Sequence, residues 1–291
     1  GIERVSKFMM PILIVLSVLI AVYSVTRPGA MEGVKYFLVP NVKNFSWMTV
    51  VAAMGQMFYS LSIAMGILIT FGSYMKKETS LEDSTRNVEV FDTAIAIMAG
   101  LMIIPAVFSF SGGDPDTLQA GPALMFITIP KVFENMGFGT VVGILFFLLV
   151  LFAAVTSSIA LTESAVSTFE DELGWSRRRA TVLVGVIMIA LGSLSSLGYG
   201  PLVGIKIIGM QFLDFFDFLT NSVMMPIAAM LTSLFVSRIV GMKRMEEEIM
   251  HGESTFRRKK IFIVMIKYLC PVFALIILIS SVANAFGWIA M

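Results

Sequence analysis

A chain of 291 residues that is 57% hydrophobic and only 14% charged, with a mean hydropathy of +0.88, is not a soluble domain, which carries about a quarter charged residues. It reads as an all-α polytopic membrane protein. The net charge of +1 leaves no electrostatic footprint for nucleic acid. Cys270 is the single cysteine, so one chain has no disulfide and no thiolate metal site, and His251, the single histidine, lies in a charged loop that poorly supports zinc or histidine chemistry. The chain opens GIERVSK, without Met or a signal peptide, directly before an apolar run, and that abrupt start hints at a fragment.

Seven apolar stretches of span length follow in one transmembrane domain. The first, about 8–25, has Pro11 near its start. The second, 47–74, has 28 residues, more than the roughly 20 that cross a bilayer core. Its centre is wrong for a plain span: Tyr59-Ser60-Leu61-Ser62 puts two hydroxyls at mid-membrane, flanked by Gly55, Gly66 and Gly72. A helix that breaks there frees oxygens to coordinate an ion or a substrate; alternatively, Gly and Ser simply let helices pack closely.

The third stretch, about 87–110, carries Asp92, which no neighbour at helical spacing neutralises. Segment 111–139 is too apolar for a solvated loop. It reads as two short helices broken near Gly121-Pro122, either an extracellular lid or simple packing against span ends. The fourth, about 140–169, holds Thr156-Ser157-Ser158 halfway along; these hydroxyls either back-bond to the preceding turn or coordinate a hard cation. Glu163, on the same face, serves either structural hydrogen bonding or gating. The fifth and sixth run about 178–197 and 211–237. Asp214 and Asp217 share a face of the sixth, either to hold a basic partner or as an ordinary interfacial pair. The seventh, about 261–283, follows the basic run 257–260, read as a retention and lipid-headgroup signal.

With the residue 1 side in the cytoplasm, inside segments hold 16 of the 21 Lys and Arg, and outside segments hold the other 5. This bias orients the chain with its C-terminus outside.

Together these pieces resemble the neurotransmitter:sodium symporter family, particularly its bacterial members with the leucine-transporter (LeuT) type of fold. GQMFYSLS…MGILITFGSYMKK looks like the unwound sixth span of that family, and AAVTSSIALTES…FEDELGWSRRRA like the eighth span and the loop after it. IIPAVFSF and GPALMFITIPKVF are similar to the end of the seventh span and the lid, DFFDFLTN to the start of the tenth, and KYLCPV to the eleventh. The match covers essentially all 291 residues and implies a C-terminal fragment, the fifth to eleventh spans of a partial LeuT-type fold, with a discontinuous helix and a helical extracellular lid. Such a fragment is expected to transport nothing on its own.

The resemblance implies a first sodium site using Ser60 and Asp92, and a second using the Ala153 carbonyl with the Thr156 and Ser157 hydroxyls. It implies a substrate pocket lined by Tyr59, Ser60, Ser62, Met65, Ser157 and Leu161. Gln56 and Asp217 match gate residues. Gly1 and Pro11 match a Gly-nine residues-Pro hinge in the fifth span. The family often has Asn where Asp92 stands, with a Glu one turn on or a chloride ion nearby; here Ala96 follows, and a fixed carboxylate implies that chloride is not required. Met65 stands where an aromatic is common, a flexible wall suited to hydrophobic side chains.

The function expected is secondary active transport: sodium-coupled symport of an amino acid, by alternating access, in a bacterial inner membrane. The alternatives are a non-transporting membrane amino-acid sensor and a structural or channel-like bundle. No enzyme motif (HExxH, G-x-S-x-G or Walker loop) is present. The partners expected are the amino acid and membrane lipid, with no nucleic acid; nothing in the sequence specifies an oligomer.

Overall fold

A computed structural model of the chain describes residues 2–114, 121–134, 137–252 and 255–289. The helices in order are α1 (Ile2–Val25), α2 (Ala30–Leu38), α3 (Trp47–Ser60), α4 (Ile67–Ser73), α5 (Leu81–Ser111), α6 (Ile129–Glu134), α7 (Gly139–Leu173), α8 (Arg177–Leu197), α9 (Phe212–Asp217), α10 (Met225–Phe235), α11 (Met242–Ile249), α12 (Lys259–Val264) and α13 (Cys270–Ala285). Four π-helical segments extend them: Leu124–Thr128 before α6, Phe218–Met224 between α9 and α10, Val236–Val240 after α10, and Met265–Leu269 between α12 and α13.

Among the described residues, six helical rods are long and apolar enough to cross a membrane: Lys7–Val25, Leu81–Ser111, Gly139–Leu173, Arg177–Leu197, Phe212–Val240 and Lys259–Ala285. The stretch 47–74 is not one rod but the pair α3 and α4. Two prolines explain two of the π segments. Pro226 and Pro271 sit in the first turns of α10 and α13, and each lacks the N–H that would bond to the carbonyl four residues back. The π turns immediately upstream widen the backbone there. Where Met265–Leu269 loosens its own ladder, the Ser233 hydroxyl of α10 donates to the Ile266 carbonyl at 2.5 Å.

The chain forms two compact units, residues 1–45 with 89–159, and residues 46–88 with 160–291. In the first, Leu16 and Ile20 of α1, Ala106 and Val107 of α5, Ile129, Val132 and Phe133 of α6, and Phe146 of α7 make one buried core. Segment 121–134 therefore inserts its apolar side chains into this unit, while residues 115–120 and 135–136 of the expected lid lie outside the described residues. Gly33 of α2 marks a close approach, since a Cβ there would meet the Pro105 Cα of α5 at 2.8 Å.

The second unit packs α10 against α13 around Phe58, Met225, Ala229, Ala274 and Ile277, with a smaller cluster of Val166, Ala180 and Val184 between α7 and α8. Val182, Val186 and Ile189 on the opposite side of α8 are exposed. Such apolar outer faces suit lipid and not water.

Candidate functional site

The chain breaks its helix where hydroxyls and glycines crowd. α3 stops at Ser60, α4 starts at Ile67, and residues 61–66 lie outside any helix. The N–H of Leu61 donates to the Met57 carbonyl, Ser62 to Tyr59 and Ile63 to Phe58, each at 3.0 Å. Ser62 and Ala64 take positive φ values of 54° and 62°, and Gly66 takes 78°. Left-handed backbone costs a non-glycine residue roughly 1–2 kcal/mol, and strain of this kind persists only where the surroundings over-determine it.

One such constraint is visible. A Cβ on Gly66 would lie 2.6 Å from the Ser164 Oγ of α7. Nearby, the buried Thr70 hydroxyl donates to Ser164 Oγ at 3.5 Å and lies 3.3 Å from Ser167 Oγ. The second half of the broken helix is thus clamped to α7 by hydroxyls.

Within the same unit, a cavity of about 380 Å³ opens beside the end of α3, lined by Gln56, Tyr59, Asp217, Asn221, Ser222 and Ser281 among others. That volume lies in the range of small-molecule pockets. The structure thus brings together Gln56, Asp217 and Tyr59. Asn221, on the π segment after α9, donates to Asp217 Oδ1 at 2.5 Å. Asp214 instead accepts from the Tyr199 hydroxyl at 3.4 Å; burial, and then this carboxylate, push the Tyr199 phenol up from its usual range. Neither aspartate has a cationic partner among the described residues.

The remaining expected residues fall in both units. Ser60 ends α3, Ser62 and Met65 lie in the break, and Leu161 is exposed on α7, all in the second unit. Met65 packs against the core around Phe58. Asp92, half-buried on α5, and Ala153, Thr156 and Ser157 on α7 belong to the first. There the Thr156 hydroxyl donates to the Phe152 and Ala153 carbonyls at 3.1 and 2.9 Å, so Ala153 and Thr156 present their oxygens together. Ser157 is exposed. Pro11 lies inside α1, and Gly1 is outside the described residues.

The sequence also leaves one cluster half-read. The Glu163 carboxylate, buried on α7, accepts from Arg177 Nη2 at 2.5 Å and Nη1 at 3.2 Å and from the Tyr74 hydroxyl at 2.8 Å. Arg177 Nη1 reaches Glu170 as well, at 3.2 Å. This bidentate, charge-assisted arrangement joins the end of α4 to α7 and the start of α8. Glu163 stood out in the sequence as a buried carboxylate. Its partners did not, although Arg177 opens the run Arg177-Arg178-Arg179 only 14 residues on.

Comparison with known proteins agrees with this architecture. The chain is 36% identical over 254 residues to an uncharacterized sodium-dependent transporter, YhdH, of Bacillus subtilis, covering 87% of this chain and 55% of that protein. It is 33% identical over 282 residues to an uncharacterized sodium-dependent transporter of Haemophilus influenzae, covering 97% of this chain and 60% of the other. The crystal structure of MhsT in complex with L-phenylalanine superimposes with a TM-score of 0.82 at 36% identity, over 97% of this chain and 63% of MhsT. The chain thus spans between half and two thirds of the length of these relatives. It has the LeuT-type fold seen in MhsT and belongs to the sodium:neurotransmitter symporter family, whose profile matches residues 1–287.

Proposed function

We propose that these residues serve sodium-coupled symport of an amino acid with a hydrophobic side chain, by alternating access, in a protein of the relatives' length. The observation that carries this is the strained break at residues 61–66, because a helix interrupted inside a membrane is tolerated only where it lines a protein cavity or a site. Ser60 on the second unit is a sodium ligand, and so are Asp92 and, as a set, Ala153, Thr156 and Ser157 on the first. The bonds from Thr156 to its own helix do not compete with this role. A hydroxyl has one proton and two lone pairs, so donating the proton to the Ala153 carbonyl leaves the oxygen's lone pairs for a cation.

Tyr59, Ser62, Met65 and Leu161 on the second unit, and Ser157 on the first, are substrate contacts; Met65 repacks around apolar side chains. MhsT, the structural relative, was crystallised with L-phenylalanine, which supports the same substrate class. Asp217 and Gln56, on the cavity beside α3, act at the outer gate, and the tie of Glu163, Arg177 and Tyr74 closes the cytoplasmic end. Pro11, inside α1, leaves a gap in that helix's hydrogen-bond ladder and eases release of the second sodium; Gly1, its partner in the expected hinge, lies outside the described residues. The carboxylate of Asp92 takes the place of chloride. Each sodium charge that enters across 100 mV contributes about 2.3 kcal/mol to the uphill movement of substrate.

Reconstitution of the full-length protein into liposomes tests the proposal. An inward sodium gradient should drive saturable accumulation of labelled phenylalanine or leucine, and the same gradient of potassium should not. Sodium-dependent binding without accumulation would make the protein a sensor, and no saturable binding would make it a structural bundle.

A further inference from the structure

The four cations at the start of α12 are not equivalent. Glu82, in the first turn of α5, accepts from the backbone N–H of Arg257 at 3.1 Å and lies 4.0 Å from Arg258 Nε. Glu246 of α11 takes the Lys259 ammonium. The Arg257 guanidinium and the Lys260 ammonium have no carboxylate partner among the described residues and are exposed.

Arg257 lies in the turn before the rod Lys259–Ala285; steps of four residues then run from Lys260 through Val264 and Tyr268 to Val272, one stripe of that rod, with Lys267 beside Tyr268. Exposure follows the stripe: Val264 is 47% exposed, Tyr268 65% and Val272 51%, and Lys267 is exposed with them. Lys267 sits about 10 Å along the axis from Lys260, at 1.5 Å per residue. Helical side chains tilt toward the N-terminal end, so the Lys267 stem leans back toward the basic run and keeps its ammonium at the polar boundary. The π segment Val236–Val240 packs against the π segment that carries Lys267 and brings in Arg238, also exposed and without a carboxylate partner among the described residues.

We propose that this face binds an anionic phospholipid, its phosphodiester held by Arg238, Lys260 and Lys267 and its acyl chain laid along Val264, Tyr268 and Val272. A change from cations to exposed apolar side chains along one side of the rod, with Lys267 reaching in beside Tyr268, suits an amphiphile and not a free phosphate. The carboxylates of Glu82 and Glu246 neutralise the two neighbouring cations and focus the charge on this stripe.

The test uses the purified full-length protein in neutral detergent, titrated with phosphatidylglycerol or phosphatidylcholine and read by native mass spectrometry. Phosphatidylglycerol should be retained preferentially, and glycerol 3-phosphate should not displace it. Each cation removed near a membrane surface should weaken retention about fivefold, so the triple variant Arg238→Gln/Lys260→Gln/Lys267→Gln should lose on the order of a hundredfold. Lys267→Met, which keeps the apolar stem, should lose about fivefold alone without altering the fold. The matched variant Arg258→Gln/Lys259→Gln, whose charges are already paired, should retain the lipid. Equal retention by the triple variant, equal loss in the matched variant, displacement by glycerol 3-phosphate, or equal binding of phosphatidylcholine would each overturn the site.

Discussion

Gly66→Ala is the substitution that most directly stresses the helix break. At φ +78° an alanine costs roughly 1–2 kcal/mol in the left-handed region, partly offset by about 0.4–1 kcal/mol from a stiffer unfolded chain. Its Cβ would stand 2.6 Å from Ser164 Oγ, forcing that hydroxyl away from Thr70 and sacrificing a buried hydrogen bond, about 1 kcal/mol. The expected net loss is about 2 kcal/mol, or several degrees in Tm. Ser164→Ala makes room, so the double variant Gly66→Ala/Ser164→Ala should recover the steric part, giving a coupling on the order of 1 kcal/mol. Gly72→Ala is the internal control: a Cβ there meets nothing within 4 Å, and in a helix alanine is favoured by about 1 kcal/mol. Thermal unfolding of the purified protein, with sodium-dependent uptake measured in parallel, reads all four variants. A Gly66→Ala protein as stable and active as wild type, or a cycle without coupling, refutes the idea that the break is clamped against α7.

Arg177→Ala should destabilise more than Glu163→Gln, by about 1–3 kcal/mol, because it leaves the buried Glu163 carboxylate with only the Tyr74 hydroxyl for company, whereas glutamine keeps a hydrogen-bonding group without the charge; unfolding midpoints give the order. Thr156→Val should change stability by only about 0.5 kcal/mol, since among the described residues its hydroxyl bonds to its own helix, yet raise the sodium concentration for half-maximal uptake at least about tenfold if that oxygen is worth the 1.4 kcal/mol or more of a charged hydrogen bond. Replacing chloride with gluconate should leave uptake unchanged, and an Asp92→Asn variant should then respond to chloride; uptake by the native protein that collapses in gluconate contradicts the role given to Asp92.

The break was legible because Ser60, Ser62, Gly55, Gly66 and Gly72 are poor choices for an uninterrupted span. Which residues carry the strain was not, since Ser62 and Ala64 have no intrinsic preference for positive φ, and Ala64 takes it where it packs against the core around Phe58. The π turns before Pro226 and Pro271 escaped for a related reason. A proline in a helical pattern announces a missing hydrogen bond but not whether the backbone kinks, widens or borrows a hydroxyl, as Ile266 does from Ser233. Asp217 and Gln56 were singled out by motif, and their meeting in one cavity depends on a contact across 161 residues of chain that no local pattern encodes. Likewise Glu163 was conspicuous as a carboxylate in an apolar helix, but Tyr74, 89 residues earlier, could be matched to it only by the fold.

Equilibrium binding of labelled phenylalanine and leucine to the purified full-length protein, titrated with sodium at constant ionic strength against potassium, tests the central claim most directly. Saturable binding whose affinity rises with sodium, and which weakens in Thr156→Val while Gly72→Ala binds normally, is the predicted result. Binding that is indifferent to sodium, or none for any amino acid, would contradict it.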